Sequence, residues 1–60
     1  MSQRLPNDPV MLLSVLNTKL RDHYKSLDEL CLDMEIEKKV ITDKLSAIDY
    51  IYNEQRNQFE

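Results

Sequence analysis

The sequence predicts a mainly α fold, three helices followed by a C-terminal β-hairpin, in the element order of a winged helix-turn-helix unit. Three observations carry that prediction. Asp8-Pro9 is a helix start followed by a long stretch without glycine or another proline. Ser26, with Glu29 three residues on, marks a second start close behind it. The tail from Tyr50 to Glu60 alternates aromatic with other residues, breaks at a polar cluster and resumes at Phe59.

Helix 1 is expected over residues 8–25. Aspartate is a good N-cap, and proline at the first helical position supplies the right φ where no N–H is needed. At about 100° per residue, Leu12, Leu13, Leu16, Leu20 and Tyr24 gather on one core-facing stripe. Val10, Met11 and Val15 fall outside it and would meet water in a monomer. A second apolar strip on the longest helix of a small chain marks a homodimer seam, with these three residues as the candidate dimer contacts. Ser14, Asn17, Arg21 and Lys25 form a polar and basic strip. It reads as a solvated face, with Arg21 able to pair with a carboxylate of helix 2, or else as a phosphate or partner contact.

Helix 2 is expected over 26–34. Ser26 and Glu29 have the spacing of a capping box, each side chain satisfying the other residue's free N–H. Leu27, Leu30, Cys31 and Met34 form the inner face, and Asp28, Glu29 and Asp33 face water. The turn at Met34-Glu35-Ile36 has no glycine, so Glu35 must accept a costly backbone conformation.

Helix 3 is expected over 37–48. Val40, Ile41, Leu45, Ala47 and Ile48 are assigned to its buried face, and Lys38, Lys39, Thr42 and Ser46 to its outer one. Asp49 can take the left-handed conformation that stops a helix. The hairpin, residues 50–60, turns near Glu54 to Asn57 and sets Tyr52 opposite Phe59. That aromatic pair is worth roughly 0.5–1.5 kcal/mol beyond burial. A two-stranded hairpin is not stable alone, so it must pack on the helices.

Sixty residues make one domain, 1–60, and a chain this short buries only about 60% of the surface it exposes when unfolded. Its one cysteine excludes an internal disulfide, and one histidine with one thiol makes a metal unexpected, which leaves oligomerisation as the source of extra stability. No leader-like start and no apolar run long enough to span a bilayer is visible, so a soluble cytoplasmic protein without membrane contact is expected. The net charge of -3 is unevenly spread: residues 26–36 carry four acidic side chains and no basic one, and 37–48 carry three basic and two acidic. An acidic chain is a poor match to a polyanion, so DNA binding would rest on a local patch.

Asp8-Pro-Val-Met-Leu-Leu-Ser14, Asn17-Thr-Lys-Leu-Arg-Asp22, Ser26-Leu-Asp-Glu-Leu-Cys31 and Arg56-Asn-Gln-Phe59 together resemble a family of bacterial proteins of about this length classed as a domain of unknown function. The resemblance covers nearly the whole chain. It implies a free-standing small bacterial protein and transfers no activity. Residues 26–59 are also similar in architecture to helix-turn-helix regulators, with Glu35 in place of the turn glycine and Glu37 where a short polar N-cap is usual.

His23 has no second ligand one turn on and reads as a surface histidine, while Cys31 reads as core. With no phosphate-cradling glycine and no nucleophile beside a base, neither an enzyme nor a cofactor is expected. The leading expectation is a non-enzymatic interaction module, a homodimer with a possible protein partner. The alternative is a small DNA-binding regulator reading the major groove with Lys38, Lys39, Thr42 and Ser46, the Asn57 region touching a neighbouring groove. Two lysines in the first turn oppose the helix dipole, which gives them a reason other than helix stability.

Overall fold

In the computed structural model, which describes residues 5–60, the chain forms α1 (Pro9–Asp22), α2 (Leu27–Met34), α3 (Lys38–Ser46) and a hairpin of β1 (Tyr52–Asn53) and β2 (Gln58–Phe59). Residues 1–4, on which the leader question partly falls, lie outside this description. The fold is mainly α, as the sequence predicts. α1 ends three residues before the expected limit of 25, where the His23 and Tyr24 N–H groups both donate to the Lys19 carbonyl and close the helix. α3 is shorter than 37–48 because residues 47–49 tighten into a turn.

Local chemistry fixes each helix end. The Met11 N–H donates to the Asp8 carboxylate at 3.0 Å, and Pro9 opens α1. The Glu29 N–H donates to Ser26 Oγ at 3.1 Å, but the reciprocal half of the capping box is displaced by one residue: Glu29 Oε1 accepts from the Lys25 N–H, not from that of Ser26. Two non-glycine residues end helices in the left-handed region, Glu35 at φ 55° after α2 and Asp49 at φ 65° after α3. In each case the following N–H reaches back five residues, Ile36 to Cys31 and Tyr50 to Leu45, and satisfies carbonyls the helix leaves open. Glu37 starts α3 without a side-chain cap.

The core is a contiguous cluster of Leu12, Leu16 and Leu20 from α1, Leu27, Leu30 and Cys31 from α2, Ile41 and Leu45 from α3, and Phe59 from β2. Val40 and Ala47, expected on the buried face of α3, are exposed instead. The core direction of this nine-residue helix is set by Ile41 and Leu45 one turn apart, and a 100° step throws Val40 well to the side. Val40 is 48% exposed, beside Leu5, Pro6 and Lys44.

Two asparagines attach the hairpin. Tyr52 pairs with Phe59 and Asn53 with Gln58, in the expected register, and the Tyr52 and Phe59 ring centroids lie 5.4 Å apart. The side of β2 turned away from β1 meets α1, where Asn17 acts like a third strand: its Nδ2 donates to the Phe59 carbonyl at 3.1 Å and its Oδ1 accepts the Phe59 N–H at 2.8 Å. Asn57, at φ 52°, donates to the carbonyls of Leu20 and Tyr24 at the end of α1. Its Oδ1 accepts from the Tyr52 hydroxyl, which in turn accepts the Leu27 N–H. One chain of hydrogen bonds thus joins the end of α1, the hairpin and the start of α2.

Candidate functional site

α2 and α3 are joined by three residues, Glu35 to Glu37, the compact connection that helix-turn-helix units use to present their second helix. Of the four α3 residues assigned to the outer face, Lys38, Thr42 and Ser46 line a groove of about 410 Å³ between α3 and the hairpin, together with Ile51 and the ring of Tyr50. Lys39 is exposed and lies apart from that groove. Thr42 is half-buried, and its hydroxyl donates to the Lys39 carbonyl at 3.2 Å.

The groove is electrostatically mixed. Lys38 Nζ sits 2.9 Å from Asp28 Oδ1 of α2, and this hydrogen bond and charge hold the lysine pKa above its ordinary value. Asp43 lines the same groove, and the negative charge of Glu54 acts on Lys38 from the hairpin. The Asn57 carboxamide, which a DNA-binding arrangement would turn outward, is held inward by the carbonyls of Leu20 and Tyr24.

The polar strip on α1 divides. Asn17 turns to the hairpin and so is not part of a solvated face, while Arg21 forms a bidentate pair with its neighbour Asp22, not with a carboxylate of α2. That pair raises the arginine pKa and lowers the aspartate's through a shared hydrogen bond. His23 is exposed at the end of α1. The Cys31 thiol is buried in the core, and burial pushes its pKa up, away from the reactive thiolate.

Val10 and Met11 are 63% and 59% exposed, and Val15 is half-buried. Ser14 and Thr18 are exposed among them, and no charged residue occurs from Pro9 through Thr18. The outward face of the first turns of α1 is therefore free of charge. The outer face of α2 is its opposite in character, carrying Asp28, Glu29 and Asp33 with Leu32 standing 81% exposed among them. Sequence periodicity assigned no role to Leu32. The available signal was that it falls off the register of Leu27, Leu30, Cys31 and Met34 and one turn from Asp28. Ile51 is 69% exposed as well, because strand alternation turns it away from Tyr52.

No helix among the described residues is long and apolar enough to cross a membrane, and no group of three or more His, Cys, Asp or Glu side chains among them could hold a metal ion. In comparisons with known proteins, the family described as Domain of unknown function (DUF4250) matches residues 6–59. No match was found among curated proteins or among solved structures.

Proposed function

The chain belongs to the family described as Domain of unknown function (DUF4250), and from its surfaces we propose that it is a small non-enzymatic interaction module that acts as a homodimer through α1. The observation that carries this reading is the charge-free outward face of Val10, Met11, Ser14, Val15 and Thr18. A surface helix ordinarily turns charge to solvent, and the first turns of this one, Pro9 through Thr18, do not. Two copies of a chain with net charge -3 meet with least repulsion where neither carries a charge. Ser14 and Thr18 are small enough to let a second α1 approach. Burying a Val or Met side chain fully is worth up to about 1.5–3 kcal/mol, so a few such residues per copy can hold a modest dimer. A role without chemistry accords with the core position of Cys31 and the exposed, isolated position of His23. The reading includes a bacterial cytoplasmic setting, where the thiol stays reduced. Light scattering across a concentration series tests the dimer, and a monomer at the highest concentrations would refute it.

A second reading, DNA binding through Lys38, Lys39, Thr42 and Ser46, draws support from the three-residue connection before α3 and from Lys39, which has no ion pair among the described residues. It ranks lower because Lys38 already neutralises Asp28 and because carboxylates border the face. Retention on a random duplex pool, titrated with salt, discriminates the two: salt-sensitive binding supports the regulator, and none at low ionic strength excludes it.

A further inference from the structure

We propose that the outer face of α2 docks a cationic protein segment, one that places an apolar side chain over Leu32 and lysine or arginine side chains against the carboxylates around it. The inference rests on reading the chain as an interaction module and names the chemistry of its partner. Leu32 lies in the body of a helix, yet it is the most exposed large apolar side chain among the described residues. It borders a shallow depression lined by Cys31 and Ile36 and rimmed by Asp28, Glu35 and Glu37. An exposed leucine alone needs no explanation. What singles this one out is its setting: an apolar floor beside it and negative charge around it.

The charge decides the occupant. α2 and the turn after it hold Asp28, Glu29, Asp33, Glu35 and Glu37, and Lys38 is already committed to Asp28 at 2.9 Å. Glu35 and Glu37 make no ion pair among the described residues. A second copy of the chain would bring the same carboxylates against these, and a nucleic acid or an anionic lipid surface would bring phosphate; both repel. A basic, amphipathic segment gains on both counts, since desolvating Leu32 strengthens the surrounding charge pairs. This face is separate from the charge-free face of α1, so a dimer formed there leaves α2 open.

The probe is a short synthetic peptide of leucines and lysines that folds as an amphipathic helix, titrated into the isotopically labelled full chain by NMR. Saturable shifts centred on the amides of Leu32, Glu35 and Ile36 are expected. The variant Leu32→Ser should weaken binding about ten-fold or more, the loss expected for an uncovered leucine. Glu35→Gln with Glu37→Gln should weaken it several-fold and flatten its salt dependence. All three side chains are exposed or at a turn, and helical circular dichroism checks that each variant folds. Shifts centred on α1 or the hairpin, indifference to Leu32→Ser, or the same response to spermidine as to the peptide would each overturn the proposal. Loss of peptide binding with the dimer intact removes this inference alone, and a monomer that still binds the peptide at α2 removes only the α1 seam.

Discussion

The Asn17 carboxamide meets β2 as a neighbouring strand would, giving Phe59 both a donor and an acceptor. A helix cannot pair with a strand edge through its own backbone, because its N–H and C=O groups are spent internally; one asparagine turned toward the strand solves this. Asn17→Ala would leave a part-buried N–H and C=O without partners. Its unfolding free energy, measured in urea, should fall by about 2–3 kcal/mol. Asn57 combines two demands, a left-handed backbone and a carboxamide that ties off the end of α1. Asn57→Ala should therefore destabilise more than Asn57→Gly, by about 1 kcal/mol, since glycine at least accepts the backbone angle; equal losses would show that only the hydrogen bonds matter. These asparagines also mark where sequence reasoning stopped. Helical periodicity located the leucines because burial repeats every turn, but a polar side chain that bonds to a residue 42 positions away leaves no local pattern. Asn17 therefore looked solvated and Asn57 looked like part of an outward loop.

At the scale of elements, helix ends marked by a capping side chain or a residue tolerant of the left-handed region were legible, and ends closed by backbone bonds alone were not. Asp8-Pro9 and Ser26 announce their helices by side-chain chemistry at the cap, whereas α1 closes on backbone bonds to the Lys19 carbonyl that no residue type signals. The glycine-free turn after α2 was foreseen as a strain, and Glu35 carries it at φ 55°. Glu35→Gly should relieve the Cβ clash and raise thermal stability by up to about 1 kcal/mol; a lower melting temperature would mean the glutamate side chain contributes more than its backbone costs. Ion pairs and hydrogen bonds between elements set the pH response. The Tyr24 hydroxyl donates to Asp33, and Lys38 pairs with Asp28, raising both pKa values above the ordinary 10.0 and 10.5. A raised folded value means the contribution is complete below the ordinary value and is lost as pH climbs through the folded one. Glu60 runs the other way: bonds from Asn53 and Gln58 lower its pKa, so its contribution holds above the usual carboxylate range and fades as pH falls through the lower folded value. The urea midpoint should be flat through neutral pH and drop above about pH 10, with Tyr24→Phe removing part of that drop. All these groups are exposed, so the steps will be small.

For the whole molecule, surface character varies more than the core does. The core cluster draws on all three helices and β2, and among the described residues every buried side-chain nitrogen or oxygen has a partner. The surface divides into a charge-free face on α1, an acidic face with an exposed leucine on α2 and a mixed groove beside α3. Sequence patterning marked Val10, Met11 and Val15 because they leave the core stripe of a well-defined helix. It did not mark Leu32, because on an eight-residue helix one misplaced apolar residue hardly disturbs the period. The mixed groove follows from the pairing of Lys38 with Asp28, a contact between helices that charge counting by segment could only hint at. Self-association through α1 is the central claim, and sedimentation equilibrium of the wild-type chain beside Met11→Glu tests it most directly. The wild type should approach twice the 7.2 kDa chain mass as concentration rises, while Met11→Glu, folded by circular dichroism, stays monomeric at the same concentrations. A wild-type chain that remains at 7.2 kDa throughout, or a Met11→Glu variant that dimerises as well as the wild type, would contradict it.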